Sequence, residues 1–230
     1  MDATKSAQIK ASDLKYQGRK ASRANSEQRR RCILEAALRI VVREGVRGVR
    51  HRAVAKEAEV PLSATTYYFK DISDLITDAF TLFVEMGAEK FNAFWEESDS
   101  RLQEALGSLD GSVQSKQLFA ENMTELAFSY VQFQLREHRD YLIVERSFQL
   151  ECLRNENLKP VAFRHQRYLL DSLEHFFGRL GSNEAQVDAR LFIAVIMQAE
   201  YEALVIGEDH CAAMIKAMLS RQIKVMLKVS

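Results

Sequence analysis

Only two of the 230 residues are proline, Pro61 and Pro160, and only nine are glycine. A chain so rarely interrupted can run long helices, and it lacks the dense turn chemistry that sheets need. Apolar residues make up 47% of it, enough to bury a sizeable core at this length. Periodicity settles the class. Ile33, Ala36, Ala37, Ile40 and Val41 recur at the spacing of one helical face. The expected fold is all-α, with a small N-terminal head and a larger helical body.

Taken in order, residues 1–25 lack hydrophobic periodicity and carry Lys5, Lys10, Lys15, Arg19, Lys20 and Arg23. They read as a mobile basic arm, either lying along DNA or simply solubilising the chain. A helix is predicted over 26–44, with Asn25 and Gln28 as a capping box and Gly45 as its stop. A long helix follows over 73–97. Its apolar face is Leu75, Ile76, Ala79, Phe80, Leu82, Phe83 and Met86, continuing to Phe91, Phe94 and Trp95. Residues 98–115, rich in Ser, Asp and Gly, read as a loop holding one short helix and as a domain boundary. Body helices are predicted over 116–137, 141–153, 160–180, 183–207 and 209–228, with Asn183 and Asp209 as caps. The predicted domains are therefore the arm (1–25), a head (26–72) and a body (73–230).

The stretch Val49–Lys70, VRHRAVAKEAEVPLSATTYYFK, has a different character. Val54, Ala55 and Ala58 share the apolar face of a first short helix. Val60 falls in a turn, and Pro61 can open a second helix over 62–69. That second helix presents Leu62, Ser63, Ala64, Thr65, Thr66, Tyr67 and Tyr68. Small side chains permit close approach, and hydroxyls can meet phosphates or base edges. This suggests a helix-turn-helix reading head, although two short helices and a turn occur in many helical proteins. Charge adds weight. Residues 1–70 hold 16 Lys+Arg against 7 Asp+Glu, within a chain whose formal net charge is zero. A basic end on a neutral chain suits a polyanion. Arg29, Arg30 and Arg31 crowd the opening turn of the first helix, and Arg50 and Arg52 that of the second. Cations there oppose the helix dipole unless a phosphate lies near.

The last two helices are unusually apolar. LFIAVIM at 191–197 is hydrophobic on every side, so it needs cover on more than one. A two-fold four-helix contact between two copies would supply that cover, through Val195, Gln198, Ala199, Glu202, Met214, Ile215, Met218 and Gln222. Burial within one chain is the alternative. Cys32, Cys152 and Cys211 are odd in number and widely spaced, which suits reduced buried thiols. The sequence has no GxSxG, no HExxH, no phosphate-binding glycine loop and no shared metal spacing among its five histidines. No enzyme activity, metal or cofactor is expected. No membrane span or secretory signal is evident, so the expected location is cytoplasmic.

Residues 28–83 resemble the TetR family of bacterial transcriptional regulators. The resemblance rests on ALRIVVREGVRGV, VAKEAEVP and ATTYYFKDISDLI. These match in order the family's first helix with its glycine, its Ile-Ala…Ala-Gly-Val-Ser turn, and its recognition helix ending in an aromatic and Phe. The resemblance implies a homodimer whose two heads read a pseudo-palindromic operator. It also implies a small-molecule site in the body, most members being repressors that ligand releases. Carried over, Arg50 to Phe69 is the helix-turn-helix. Ser63, Ala64, Thr65 and Tyr67 would face bases or phosphates, Tyr68 would contact the backbone, and Lys70 would lie just beyond. The sequence departs from the pattern at Arg50 (usually Thr), Glu59 (Gly), Pro61 (Ser), Thr66 (Tyr) and Ile72 (often Lys). His51 and Arg52 then become substitutes for the missing phosphate contacts.

The effector site implied by the resemblance would use Phe128, Tyr130, Phe133, Tyr141, Phe148 and Phe163 as an apolar lining. His138, Arg146, His165 and Tyr168 would orient the ligand. A largely apolar ligand is expected, ordinary core packing being the alternative for each residue. The competing reading of the whole chain is a helical ligand-binding or adaptor protein that no longer binds DNA specifically.

Overall fold

The structure, a computed structural model, describes residues 16–19 and 24–229, without the side chains of 91, 92, 95–99 and 101. The expectations for residues 1–15 and 20–23 of the arm, and for Phe91 and Trp95, lie outside what is described. Among the described residues there are nine α-helices and no strand. Among the described residues no helix is long and apolar enough to cross a membrane. The chain divides into two units. One takes residues 16–91 with Ile143–Gln166, and the other Asn92–Leu142 with residues 167–229. A cut at residue 72 does not describe this division.

In the first unit, α1 (Ala24–Glu44), α2 (His51–Glu57), α3 (Leu62–Tyr68) and the start of α4 (Ile72–Gly107) enclose one core. Ile33, Leu34, Ile40, Val54, Phe69, Leu75, Phe80 and Phe83 are buried in it. α1 is already helical at Ala24, so Asn25 lies inside the helix and is not its cap. Gly45 ends α1 at φ 69° and ψ 179°, a positive-φ conformation that glycine adopts readily, in place of the αL cap expected of it. α2 ends in a Schellman turn: Val60 N–H donates to Ala55 O and Glu59 N–H to Lys56 O. Glu59 takes the left-handed position at φ 55°. α4 opens at Ile72 because the Asp71 carboxylate accepts the Ser73 N–H at 2.8 Å.

In the second unit, α5 (Val113–Glu137), α8 (Ala185–Ile206) and α9 (Glu208–Leu227) pack together, around Ala127, Val131, Leu135, Ala199, Ala203, Cys211, Ile215 and Leu219. α4 runs on to Gly107, so most of the loop expected over 98–115 is helix. Leu102 is buried there against Phe119, Met123 and Ile223, and that packing outweighs the loop-like composition. Ser112 caps α5, its hydroxyl accepting the Ser115 N–H. Asn183 does not cap α8; Glu184 stands at that position without a side-chain bond. Gly207 at φ 106° ends α8 and precedes α9, leaving Asp209 in the first turn and not at the cap. Two further helices, α6 (Arg139–Cys152) and α7 (Lys159–Arg179), contribute to both units.

Candidate nucleic-acid interface

The short helices α2 and α3 are held rigidly from behind. Glu57 on α2 receives two arginines from α1, Arg39 at 2.8 Å and Arg43 at 2.7 Å. Those bonds, from Arg43 first and then Arg39, bring the Glu57 carboxyl down from about 4.5 to about 2. Tyr68 at the end of α3 is buried and shares a 2.8 Å hydroxyl bond with Ser26 on α1. Phe69 is fully buried. Thr65 is also 0% exposed; its hydroxyl donates to Leu62 O at 2.8 Å and lies 3.3 Å from His51 Nδ1.

These contacts revise part of the expected reading surface. Thr65 and Tyr68 face inward and join α3 to α2 and α1, so neither presents its side chain to a ligand. His51 is half-buried by its contact with Thr65. Exposed on α3 are Leu62, Ser63, Thr66 and Tyr67, with Ala64 half-buried and Lys70 exposed just beyond. Arg50 and Arg52 are exposed at the start of α2. Arg50 occupies the cap position and makes no side-chain cap bond. The arginines crowding α1 are used differently from expectation. Arg30 is buried and bonded to Asp78 at 2.8 Å, and Arg31 pairs with Glu35 at 2.9 Å.

An open cleft of about 540 Å³ adjoins the start of α2. It is lined by Val46, Arg47, Val49, Arg50, His51, Ile72, Ile76, Glu151 and Arg154. Arg47 is visible in the sequence as one more cation before α2. Glu151 and Arg154 lie about a hundred residues away, and no local pattern marks them as its neighbours.

The residues expected to line an effector site divide between the units. In the first, Phe148 is buried with its ring centroid 5.0 Å from Phe80 and 5.9 Å from Phe83. His165 is buried beside the same rings. Its Nε2 lies 3.4 Å from Glu145, and its Nδ1 has no hydrogen-bond partner among the described residues. Arg146 is half-buried near Gln149, while Phe163 is 64% exposed and turns outward. In the second unit, Phe128, Tyr130 and Tyr141 border the core. Tyr130 also stacks on Phe94 and accepts from Gln134. Tyr168 is buried, which pushes its phenol up to about 12. Phe133 is 51% exposed, with His138 edge-on to its ring. Phe133 and Phe163 thus depart from the expected lining.

On α8 and α9, Ala199 and Ile215 lie inside the intramolecular core, where outward contact was expected. Val195 is half-buried against that core, and Glu202, Met218 and Gln222 are half-buried. Gln198 and Met214 are exposed. Beside Gln198, α8 exposes Val187, Leu191, Tyr201 and Val205 at heptad-like spacing.

No protein-family profile and no curated protein matches the chain. Solved structures do. A transcriptional regulator from Rhodococcus sp. Rha1 is 16% identical, with a TM-score of 0.63 over 86% of this chain and 96% of its own. A member of the TetR family from Streptomyces coelicolor A3 is 25% identical, with a TM-score of 0.54 over 85% and 98%. The multidrug-binding protein EbrR, complexed with ethidium, is 26% identical, with a TM-score of 0.56 over 85% and 98%. The all-α architecture and the braced helix pair α2–α3 are thus shared with solved TetR-family transcriptional regulators, which the chain resembles over most of its length.

Proposed function

We propose that the chain represses transcription as a homodimer, reading a two-fold-related operator through the outer face of α3 and releasing it when a small, largely apolar ligand binds. The observation that carries this is the division of α3 into two faces. Thr65 and Tyr68 anchor the helix, while Leu62, Ser63, Thr66 and Tyr67 stay exposed beside Arg50 and Arg52. Ser63, Thr66 and Tyr67, with half-buried Ala64, meet base edges or phosphates; Arg50, His51, Arg52 and Lys70 meet the phosphate backbone. Dimerisation uses the exposed stripe Val187, Leu191, Gln198, Tyr201 and Val205 with Met214 of α9. These apolar side chains are solvated in the single chain, and a second copy would remove them from water.

Ligand release is supported by α6. Its end brings Glu151 and Arg154 into one cleft with Arg47, Arg50 and His51. A ligand that shifts α6 would therefore move groups beside the phosphate-facing side chains. His165 and Glu145, among Phe80, Phe83 and Phe148, are the polar groups best placed to sense it. Selection from a random duplex library is the test. Enrichment of an inverted repeat supports the proposal, and ethidium or a long-chain acyl compound should then be screened for release. Failure to enrich any motif contradicts it.

A further inference from the structure

The segment Tyr16–Arg19, expected to belong to a loose arm, is docked on the DNA-reading unit. Gln17 and Gly18 both donate their backbone N–H groups to the Asp78 carboxylate, Gly18 at 2.8 Å. The Tyr16 hydroxyl donates to Glu85, and the Arg30 guanidinium lies 4.2 Å from the centre of the Tyr16 ring. The Arg19 N–H donates to Tyr68 O at 2.9 Å, at the end of α3. Gly18 is required by this path. A Cβ there would stand 2.6 Å from the Phe69 ring and 2.9 Å from Asp78 Oδ2. Both neighbours are buried and fixed, so neither can yield cheaply.

The result concerns Arg19. Its backbone is pinned to α3, and its guanidinium lies over the exposed ring of Tyr67, 4.5 Å from the centroid. Among the described residues no carboxylate pairs with Arg19: Asp78 is bonded to Arg30 and Glu85 to Tyr16. A cation held at the edge of the recognition helix, on a π-face that leaves its charge intact, suits a phosphate oxygen.

We propose that Tyr16–Arg19 is a strap that makes Arg19 a phosphate contact of the reading head, adding to those of α2 and α3. This rests on the DNA-reading role proposed above. A guanidinium on a pinned backbone loses less freedom on binding than one on a free tail.

The test uses the full chain and a duplex selected by the wild type, titrated by fluorescence anisotropy at several salt concentrations. Arg19→Ala should weaken binding severalfold and lower the log–log salt slope by about 0.9, the effect of one lost phosphate contact. Its thermal midpoint should not change, because Arg19 is exposed. Arg19→Lys should restore most of the slope. Gly18→Ala removes no charge, yet should show the same loss of slope because the strap cannot seat. If the wild type binds and Arg19→Ala keeps the full slope, the strap proposal falls and the DNA-reading role stands. The strap proposal also falls if Gly18→Ala binds as the wild type does. If the wild type selects no duplex, both fall together.

Discussion

The Arg30 guanidinium lies 2.8 Å from the Asp78 carboxylate, with 4% and 0% of their side chains exposed. This buried pair joins α1 to α4, and the same carboxylate receives the strap at Gln17 and Gly18. One residue thus holds three pieces of the first unit. Removing either partner takes the opposite charge from a buried ion, although Asp78 keeps the two strap N–H groups and Arg30 keeps Glu27 at 3.0 Å, so the cost is about 3 kcal/mol, the low end for a broken buried pair. Arg30→Ala and Asp78→Ala should each lower the thermal midpoint far more than Arg29→Ala does. Differential scanning calorimetry checks this.

Glu59 predicts a gain. It holds a left-handed backbone at φ 55° in the Schellman turn between α2 and α3, and its side chain is exposed. A residue with a Cβ is disfavoured there by about 1 kcal/mol. Glu59→Gly should therefore raise stability by about that amount in urea unfolding. It should leave the α3 surface unaltered.

Acid should loosen the bracing of α2. The Glu57 carboxyl is held down at about 2 by Arg43 and Arg39, against an ordinary value of about 4.5. A lowered carboxyl pKa contributes stability that is complete above its unfolded value and is lost as pH falls toward the folded one. The head should therefore weaken between those two values. Glu57→Gln, which lacks the titration, should show a flatter pH dependence across that window when urea midpoints are compared.

Within α3, neighbouring hydroxyls should separate cleanly. Thr65→Val removes a buried donor bonded to Leu62 O and should cost about 1 kcal/mol or more in stability. Ser63→Ala lies on the exposed face and should leave stability unchanged while altering base preference at one operator position. Parallel melting and competition binding distinguish the two.

How much of this was legible in the sequence depended on the range of the interactions. The helix pair and its turn follow from local signals: Val54, Ala55 and Ala58 on one face, Gly45 as a stop, Pro61 before α3. Facing within α3 did not, because Ser63, Thr65 and Thr66 are chemically alike and only packing against α1 and α2 decides which is buried. The helical run through 98–107 was hidden by its serines and aspartates; Leu102 gains its partners from α5 and α9. The apolar character of α8 is plain in the sequence, but not which side packs within the chain: Ala199, expected on the outer face, lies in the core with α5 and α9. The strap was invisible because its acceptor, Asp78, lies about sixty residues along the chain.

The outer stripe of α8 should control assembly. Leu191→Glu with Val205→Glu adds charge where the single chain is already exposed, so folding should survive while sedimentation shows a shift to monomer. Ile215→Glu, inside the core, should instead unfold the unit.

The most direct measurement is a mobility-shift titration of the purified protein on DNA from beside its own gene, at two salt concentrations, against scrambled competitor. A discrete, competitor-resistant complex that weakens steeply with salt is the predicted result. Smearing that the scrambled DNA abolishes, or no complex there or on a random-sequence library, would contradict sequence-specific reading and leave a helical ligand-binding or adaptor protein.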